Sequence, residues 1–279
     1  MIILDGKKVS TIIKNKLKVE IDKLIKKPGL GIILVGNNIE SKTYVNMKRK
    51  TCEYLNIYFI CYEFNDDVSE NDIITTIQKL NNDDNINGIL VQLPLPLHLN
   101  TNKILNTISH NKDVDGFHTI NAGKLFQNNN YNIVPCTPRG CLELLDHYNI
   151  NVKSMNVTII GCSNIVGLPL SILLLQRGAT VTICHIDTND TKSFVKNADL
   201  IVACCGVPHL VKKDWIKKDA IIIDVGINKI KNNNGYKLVG DVDYDNVKNI
   251  CSYITPVPGG VGPMTVIMLM KNVYELSQN

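Results

Sequence analysis

The sequence predicts an α/β protein of two domains, each a mostly parallel sheet with helices packed on it. Apolar segments of strand length alternate with helical periodicities along the chain, the pattern of β-α-β units. The length, 279 residues, exceeds the ~100–200 residues of one ordinary domain. A glycine-containing turn between a strand and a helix, Gly161 to Pro169, opens the second half in the manner of an open, doubly wound nucleotide-binding sheet.

The elements follow in order. Met1 to Leu4 is a short apolar start broken by Asp5, Lys7 and Lys8. Val9 to Ile25 repeats apolar residues at helical spacing and stops at Pro28-Gly29, before a buried strand over Leu30–Val35. A helix from about Ser41 to Leu55 takes Ser41 as its N-cap. Ile57–Tyr62 reads as a strand, Glu70–Leu80 as a helix and Gly88–Gln92 as a short buried strand, after which Pro94 and Pro96 impose an extended turn. Gln127–Asn132 is an Asn-rich loop where the chain changes character, and Pro138 with Gly140 introduces a helix to about Tyr148. Then come a strand (Asn156–Ile160), a helix (Pro169–Arg177) and strands over Thr180–Cys184, Leu200–Cys204 and Ala220–Val225. The Asn-rich stretch Lys231–Gly235 reads as a surface loop, and a last helix runs from Met264 to Leu276.

Composition narrows the function classes. The chain is 44% hydrophobic and 20% charged, which excludes wholesale disorder. Thirty basic and 26 acidic side chains leave a net charge of +4 without a basic block. That is compatible with an anionic small ligand and gives no argument for a nucleic-acid partner or a membrane surface, neither of which is expected. Apolar runs such as Ala220–Ile223 fall far below the ~18 residues of a membrane span, and no signal peptide is visible. The nine cysteines are odd in number and lack a C-x-x-C pair, so free thiols in a reducing cytoplasmic compartment are expected, and no metal.

Within this frame, several segments carry chemistry. In Gly161-Cys162-Ser163-Asn164-Ile165-Val166-Gly167-Leu168-Pro169, glycine lets the chain turn sharply at the strand end, and Ser163 with the following amides can meet a phosphate. The spacing departs from G-x-G-x-x-G, since Ser163 takes the place of the middle glycine and Gly167 comes one position late. Tyr44 and Lys48 lie four apart and share one helix face; by itself such a pair is usually a solvated face. A lysine there becomes a proton-transfer group if desolvation lowers its pKa. The pair also mimics the dyad of short-chain dehydrogenases, but it precedes the dinucleotide turn, which is the wrong chain order. Gln92 ends an apolar strand, where α/β folds face their ligands, and Asp113-Val114-Asp115-Gly116 offers carboxylates to a donor-rich heterocycle. The glycine-rich loop Thr255–Thr265 lacks the Gly-Lys-Ser/Thr ending of a P-loop, so a nucleoside triphosphate site is not indicated.

Together these segments resemble the bifunctional methylenetetrahydrofolate dehydrogenase/cyclohydrolase (FolD-type) family. The resemblance rests on Ser41–Lys48, Val91–Pro96, Lys112–Phe117, Pro135–Gly140, Gly161–Pro169, Asp224–Asn228 and Thr255–Thr265, in family order over essentially the whole chain. It implies an N-terminal α/β folate-binding and catalytic domain (1–138, with helix 262–279 packing back on it), a Rossmann-type dinucleotide-binding domain (139–261) and a cleft between them. It implies oxidation of 5,10-methylenetetrahydrofolate to the 5,10-methenyl cation, then hydrolysis to 10-formyltetrahydrofolate.

Carried over residue by residue, the resemblance makes Lys48 the general acid/base and Gln92 the residue that positions it. Tyr44 would lie along the folate, Asp115 would accept from the pterin, and Val91, Leu93 and the loop Pro258-Gly259-Gly260-Val261-Gly262 would line the substrate. The dinucleotide would meet Gly161, Cys162, Ser163, Ile165, Ile186, Asp187, Gly206 and Ile227. NADP is the cofactor the resemblance implies, with NAD open. Many NADP-using members have Arg at the position of Cys162 and Ser or Arg at that of Ile186, and the Asp187 carboxylate would repel a 2′-phosphate. A homodimer pairing through the Rossmann domains is also implied. The alternatives are a dehydrogenase that has lost the hydrolytic step and a catalytically silent nucleotide-binding protein.

Overall fold

The computed structural model describes residues 1–128, 133–232 and 235–278. Its strands are β1 (Ile2–Ile3), β2 (Gly29–Val35), β3 (Tyr58–Phe64), β4 (Gly88–Val91), β5 (Asn156–Ile160), β6 (Thr180–Cys184), β7 (Leu200–Ala203), β8 (Ile221–Asp224), β9 (Asn228–Asn232), β10 (Gly235–Val239) and β11 (Tyr253–Ile254). Its helices are α1 (Gly6–Lys23), α2 (Ile39–Leu55), α3 (Glu70–Asn81), α4 (Thr101–Thr107), α5 (Thr119–Phe126), α6 (Cys136–His147), α7 (Gly167–Gln176), α8 (Thr191–Lys196), α9 (Tyr244–Val247) and α10 (Val261–Leu276). They form two compact α/β units, one of residues 12–136 and 266–279, the other of residues 1–11 and 137–265.

In the first unit, β2 lies between β3 and β4, and both pairings are parallel. Every residue of β2 and β4 is buried, as expected of strands covered on both faces. Ile33, Val35, Ile89 and Val91 pack with Ile73, Ile77 and Leu80 of α3 and Ile104 of α4 in one core. The segment after α4 runs beside β4: Ile89 bridges Asp113 in parallel, and its N–H donates to the Lys112 carbonyl at 2.7 Å. The end of α10 belongs to this unit, where Asn272 Nδ2 donates to the Val114 carbonyl at 2.7 Å.

In the second unit, six parallel strands run in the order β1-β11-β8-β7-β5-β6. The order reverses at β5, with β6 on one side and β7 then β8 on the other, so the turn leaving β5 sits at the topological switch point. Ile201 and Ala203 of β7 and Ile222 of β8 pack with Val195, Val211 and Val242 in its core.

Several expectations are corrected. The sequence reading places residues 1–138 in the first domain, yet β1 pairs with β11 and joins the dinucleotide sheet. Four apolar residues ending at Asp5 carry no periodicity from which to foresee this. The N-cap of α2 is Asn38 rather than Ser41: the Asn38 side chain accepts from the Ser41 N–H at 2.9 Å, and Ser41 is buried inside the helix. Lys231 and Gly235, expected in a surface loop, lie in β9 and β10, which pair as an antiparallel ribbon. Residues 233–234, like 129–132 of the predicted Gln127–Asn132 loop, lie outside the described residues. The short elements α4, α5, α8, α9 and β11 have no counterpart in the sequence reading.

Candidate active site

The first unit gathers one group of predicted site residues. On α2 the buried positions are Ser41, Val45, Lys48, Cys52 and Leu55, a helical stripe in which Lys48 is the cation. The tertiary fold thus buries an ammonium among apolar neighbours. Lys48 is only 9% exposed, and its Nζ donates to Gln92 Oε1 at 2.8 Å. Gln92 is held in turn from both sides, its N–H donating to the Ile33 carbonyl at 2.9 Å and its Nε2 to the Leu93 carbonyl at 2.8 Å. Desolvation lowers the pKa of Lys48 from the ordinary lysine value, while the nearby Asp115 charge opposes that shift. Tyr44, one turn earlier on α2, is half-buried, and burial raises its pKa.

The two carboxylates of the Asp113–Gly116 turn divide their tasks. Asp113 is 2% exposed and accepts from the Gly116 N–H (3.1 Å), the His118 N–H (2.8 Å) and Asn121 Nδ2 (2.9 Å), so it builds the turn. Asp115 is left to the site. Desolvation pushes its pKa up to about 6, the Lys48 charge pulls it down, and Asp113 pushes it up. The Cys136 thiol donates to Asp115 Oδ1 and to the Val114 carbonyl, each at 3.5 Å. Cys136 is a contact the sequence reading did not assign; its signal was its place in Pro135–Gly140.

A raised carboxyl pKa has a definite sign in stability. Because Asp115 binds its proton more tightly folded than unfolded, its contribution is full below the ordinary value of 3.8 and is lost as pH rises through about 6. Asp115→Asn is therefore expected to flatten the decline in urea midpoint between about pH 4 and pH 7 relative to the parent chain. Equal slopes in the two proteins would contradict a desolvated Asp115.

The second unit gathers the other group at the carboxyl ends of its parallel strands: Gly161, Cys162 and Ser163 after β5, Ile186 and Asp187 after β6, Gly206 after β7 and Ile227 after β8. Gly161 adopts φ 119°, and a Cβ there would strike the Cys204 carbonyl. A Cβ on Gly167 would strike the Gly161 carbonyl in the same way. The turn is thus drawn tight by two glycines, and Ser163 Oγ accepts from the Val166 N–H at 3.2 Å ahead of α7. A tight turn at a helix start on the switch point is the cradle a dinucleotide pyrophosphate requires. Around it Ile165 is 42%, Ile186 98% and Ile227 47% exposed, apolar surface that flat rings could cover. Asp187 is exposed too, its Oδ2 3.6 Å from His185 Nδ1.

Pro258–Gly262 also lies in the second unit. Its Gly259 carbonyl accepts from the Lys7 N–H at 2.9 Å, and a Cβ on Gly260 would stand 2.6 Å from the Pro256 carbonyl. The glycine at 260 is therefore required by the loop's own packing, whatever else the loop approaches. Val261 is buried, at 3% exposure.

Comparison with known proteins decides the family. Residues 4–115 match the model of the tetrahydrofolate dehydrogenase/cyclohydrolase catalytic domain, and residues 135–279 match that of its NAD(P)-binding domain. The chain belongs to the tetrahydrofolate dehydrogenase/cyclohydrolase family. It is 51% identical to the bifunctional protein FolD of Nitratiruptor sp. over 100% of this chain and 98% of that protein. It is 50% identical to the one from Aquifex aeolicus, over 98% and 94%. Among solved structures, it resembles the bifunctional FolD of Campylobacter jejuni with TM-score 0.96 and 45% identity, covering 100% of this chain and 99% of that one. The Trypanosoma brucei FolD, solved with NADP and an inhibitor, gives TM-score 0.96 at 36% identity, over 100% and 97%. This member of the family is accordingly an enzyme of folate one-carbon metabolism, with dehydrogenase and cyclohydrolase activities and an NAD(P)-binding domain.

Proposed function

We propose that the chain oxidises 5,10-methylenetetrahydrofolate and hydrolyses the resulting methenyl cation, with Lys48, Gln92, Tyr44 and Asp115 as the groups that act on the folate. The observation that carries this reading is the buried Lys48 Nζ held at 2.8 Å by Gln92 Oε1, beside a carboxyl group of raised pKa. Folate chemistry then resides in the unit of residues 12–136 and 266–279, and dinucleotide binding in that of residues 1–11 and 137–265.

Gly161, Cys162, Ser163, Ile165, Ile186, Asp187, Gly206 and Ile227 would hold the dinucleotide, which when bound supplies the hydride acceptor. The protein's own contribution to oxidation is alignment and exclusion of water. In hydrolysis, Lys48 in its neutral form takes a proton from the water that adds to the amidinium carbon. It returns that proton to the ring nitrogen that leaves as the tetrahedral adduct collapses, while the adduct's hydroxyl gives up its own proton to water and becomes the formyl carbonyl. Gln92 keeps the Nζ aimed, because its own amide is tied to Leu93 and cannot swing away. Asp115 accepts from the donor-rich edge of the pterin, a charge-assisted match, and Tyr44, Val91 and Leu93 bound the folate. A neutral Lys48 also fixes the pH dependence: kcat for methenyl hydrolysis rises with pH to a plateau, with an apparent pKa below the lysine value of 10.5. A hydrolysis rate flat across that limb would contradict it.

NADP is the cofactor of the Trypanosoma brucei relative, and by likeness the expected one here. Around the turn, however, Cys162 and Ile186 are uncharged and Asp187 carries a carboxylate, so NAD is a second reading with a specific physical basis. Asp187→Ser is expected to raise kcat/KM with NADP relative to NAD about tenfold, the order of relieving repulsion worth ~1.4 kcal/mol. An unchanged ratio would remove Asp187 from cofactor choice.

We further place the enzyme in the cytoplasm as a homodimer pairing through its dinucleotide units. Support comes from the free thiols of all nine cysteines and from Tyr236 and Leu238, 60% and 41% exposed on the β9–β10 ribbon. Among the described residues, no helix is long and apolar enough to cross a membrane. The decisive assay supplies purified protein with methylenetetrahydrofolate and either dinucleotide. It should form both methenyl- and 10-formyltetrahydrofolate; accumulation of the methenyl compound alone would select the monofunctional alternative, and no turnover the silent one.

A further inference from the structure

Beneath the carboxyl edge of the second sheet lie two carboxylates that the proposed chemistry leaves without a task. Asp224, at the end of β8, is 3% exposed, and Asp241, just after β10, is 0% exposed. Asp241 Oδ2 accepts from the Cys205 N–H at 2.7 Å and the Gly206 N–H at 2.9 Å, with the Cys205 thiol at 3.4 Å. Its Oδ1 accepts from Asn228 Nδ2 at 2.8 Å. One side chain therefore ties the turn after β7 to the segment after β8. Asp224 secures Asp241 from behind, its Oδ1 accepting from the Gly226 and Asp241 N–H groups at 3.0 Å and its Oδ2 from the Val242 N–H at 2.9 Å. A Cβ on Gly226 would strike the Asp241 carboxylate, and one on Gly240 that of Asp224, so both glycines are needed for the carboxylates to come so near the backbone.

We infer that Asp241 is a positioning residue for the dinucleotide, fixing through its buried carboxylate the two strand ends on which Gly206 and Ile227 stand. A buried carboxylate is an unfavourable way to hold loops together if holding is all that is needed, since an apolar side chain carries no desolvation cost. What a carboxylate adds is direction: it specifies where two consecutive N–H groups and one amide must point. Of the residues so directed, Gly206 is itself assigned above to the cofactor, and Asn228 adjoins Ile227. Burial raises the pKa of Asp224 to about 7, which eases the close approach of the two side chains.

The inference rests on the proposed dinucleotide site, and its test separates the two. Asp241→Asn keeps the shape but offers one oxygen and a competing donor, so either the 205–206 turn or Asn228 loses its acceptor. The expected result is dinucleotide Kd, measured by calorimetry with NADP and with NAD, weaker by about tenfold or more. Methenyl hydrolysis, which uses no dinucleotide, stays within about twofold of the parent. The double variant Asp241→Asn/Asn228→Asp restores complementarity with donor and acceptor exchanged, and should recover most of the lost affinity. Unchanged affinity in Asp241→Asn, a parallel loss of hydrolysis, or no recovery in the double variant each overturns the inference. Should Asp241→Asn not fold, Asn228→Ala takes its place: weaker dinucleotide binding with hydrolysis retained supports the inference, and unchanged binding overturns it. If the parent chain itself bound neither dinucleotide, the proposed site would be what had failed.

Discussion

Lys48→Met abolishes methenyltetrahydrofolate hydrolysis, lowering kcat by about 10²–10⁴, the usual worth of one general acid–base group. Methionine has nearly the length of lysine and prefers buried surroundings, so the α2 stripe of Ser41, Val45, Cys52 and Leu55 stays packed. The variant should therefore fold, and it relieves the desolvation that a cation suffers at 9% exposure. It does leave Gln92 Oε1 without its donor. Hydride transfer needs no proton from Lys48, so single-turnover oxidation with saturating dinucleotide should survive to within about tenfold while the methenyl product accumulates. Lys48→Arg is the sharper control: it keeps a cation but removes a neutral form, since arginine does not deprotonate in proteins. Its hydrolysis should be as poor as that of Lys48→Met. Activity retained in the arginine variant would mean that charge, and not proton transfer, is what the position supplies.

The second large effect falls on folate binding. Asp115→Ala is expected to weaken the affinity for methylenetetrahydrofolate about 30- to 1,000-fold, as for truncating one partner of a buried charge-assisted pair at ~2–4 kcal/mol. Both activities should fall together when substrate is limiting, because both reactions use the same pterin contact. The charge on Asp115 also opposes the lowering of the Lys48 pKa. With Asp115 gone, Lys48 deprotonates more readily, and the pH limb of hydrolysis at saturating folate moves to lower pH. A shift in the opposite direction would show that the two groups do not sense one another. Dinucleotide Kd should be unchanged, which distinguishes a folate contact from general damage.

Much of this was legible in the residues themselves. The period of α2 put Tyr44 and Lys48 on one face, and the apolar run ending at Gln92 put an amide at a strand's carboxyl end. What could not be read was that the two meet, since their pairing spans 44 residues and depends on the order β3-β2-β4. The difference between Asp113 and Asp115 was equally hidden: the residue types are identical, and the donors folded around Asp113, two backbone N–H groups and the Asn121 amide, separate a turn-builder from a ligand-facing acid. The β9–β10 ribbon escaped because the alternation Tyr236-Lys237-Leu238 is too short to stand out beside the Asn-rich stretch before it. Asp241 was invisible for a related reason. Two of the groups that meet its carboxylate are main-chain N–H groups, which every sequence possesses and none advertises.

The pairing of Ile2 and Ile3 with Tyr253 and Ile254 bears on how the molecule is made. Leu4 is buried behind that strand, and its N–H donates to the Ile254 carbonyl at 2.8 Å. During synthesis Ile2 and Ile3 thus wait for partners far along the chain, and β11 has a bare edge until they meet. An excised fragment of residues 139–261 would expose that edge permanently and should self-associate, whereas a circular permutant joining residues 1–11 behind residue 261 would close it.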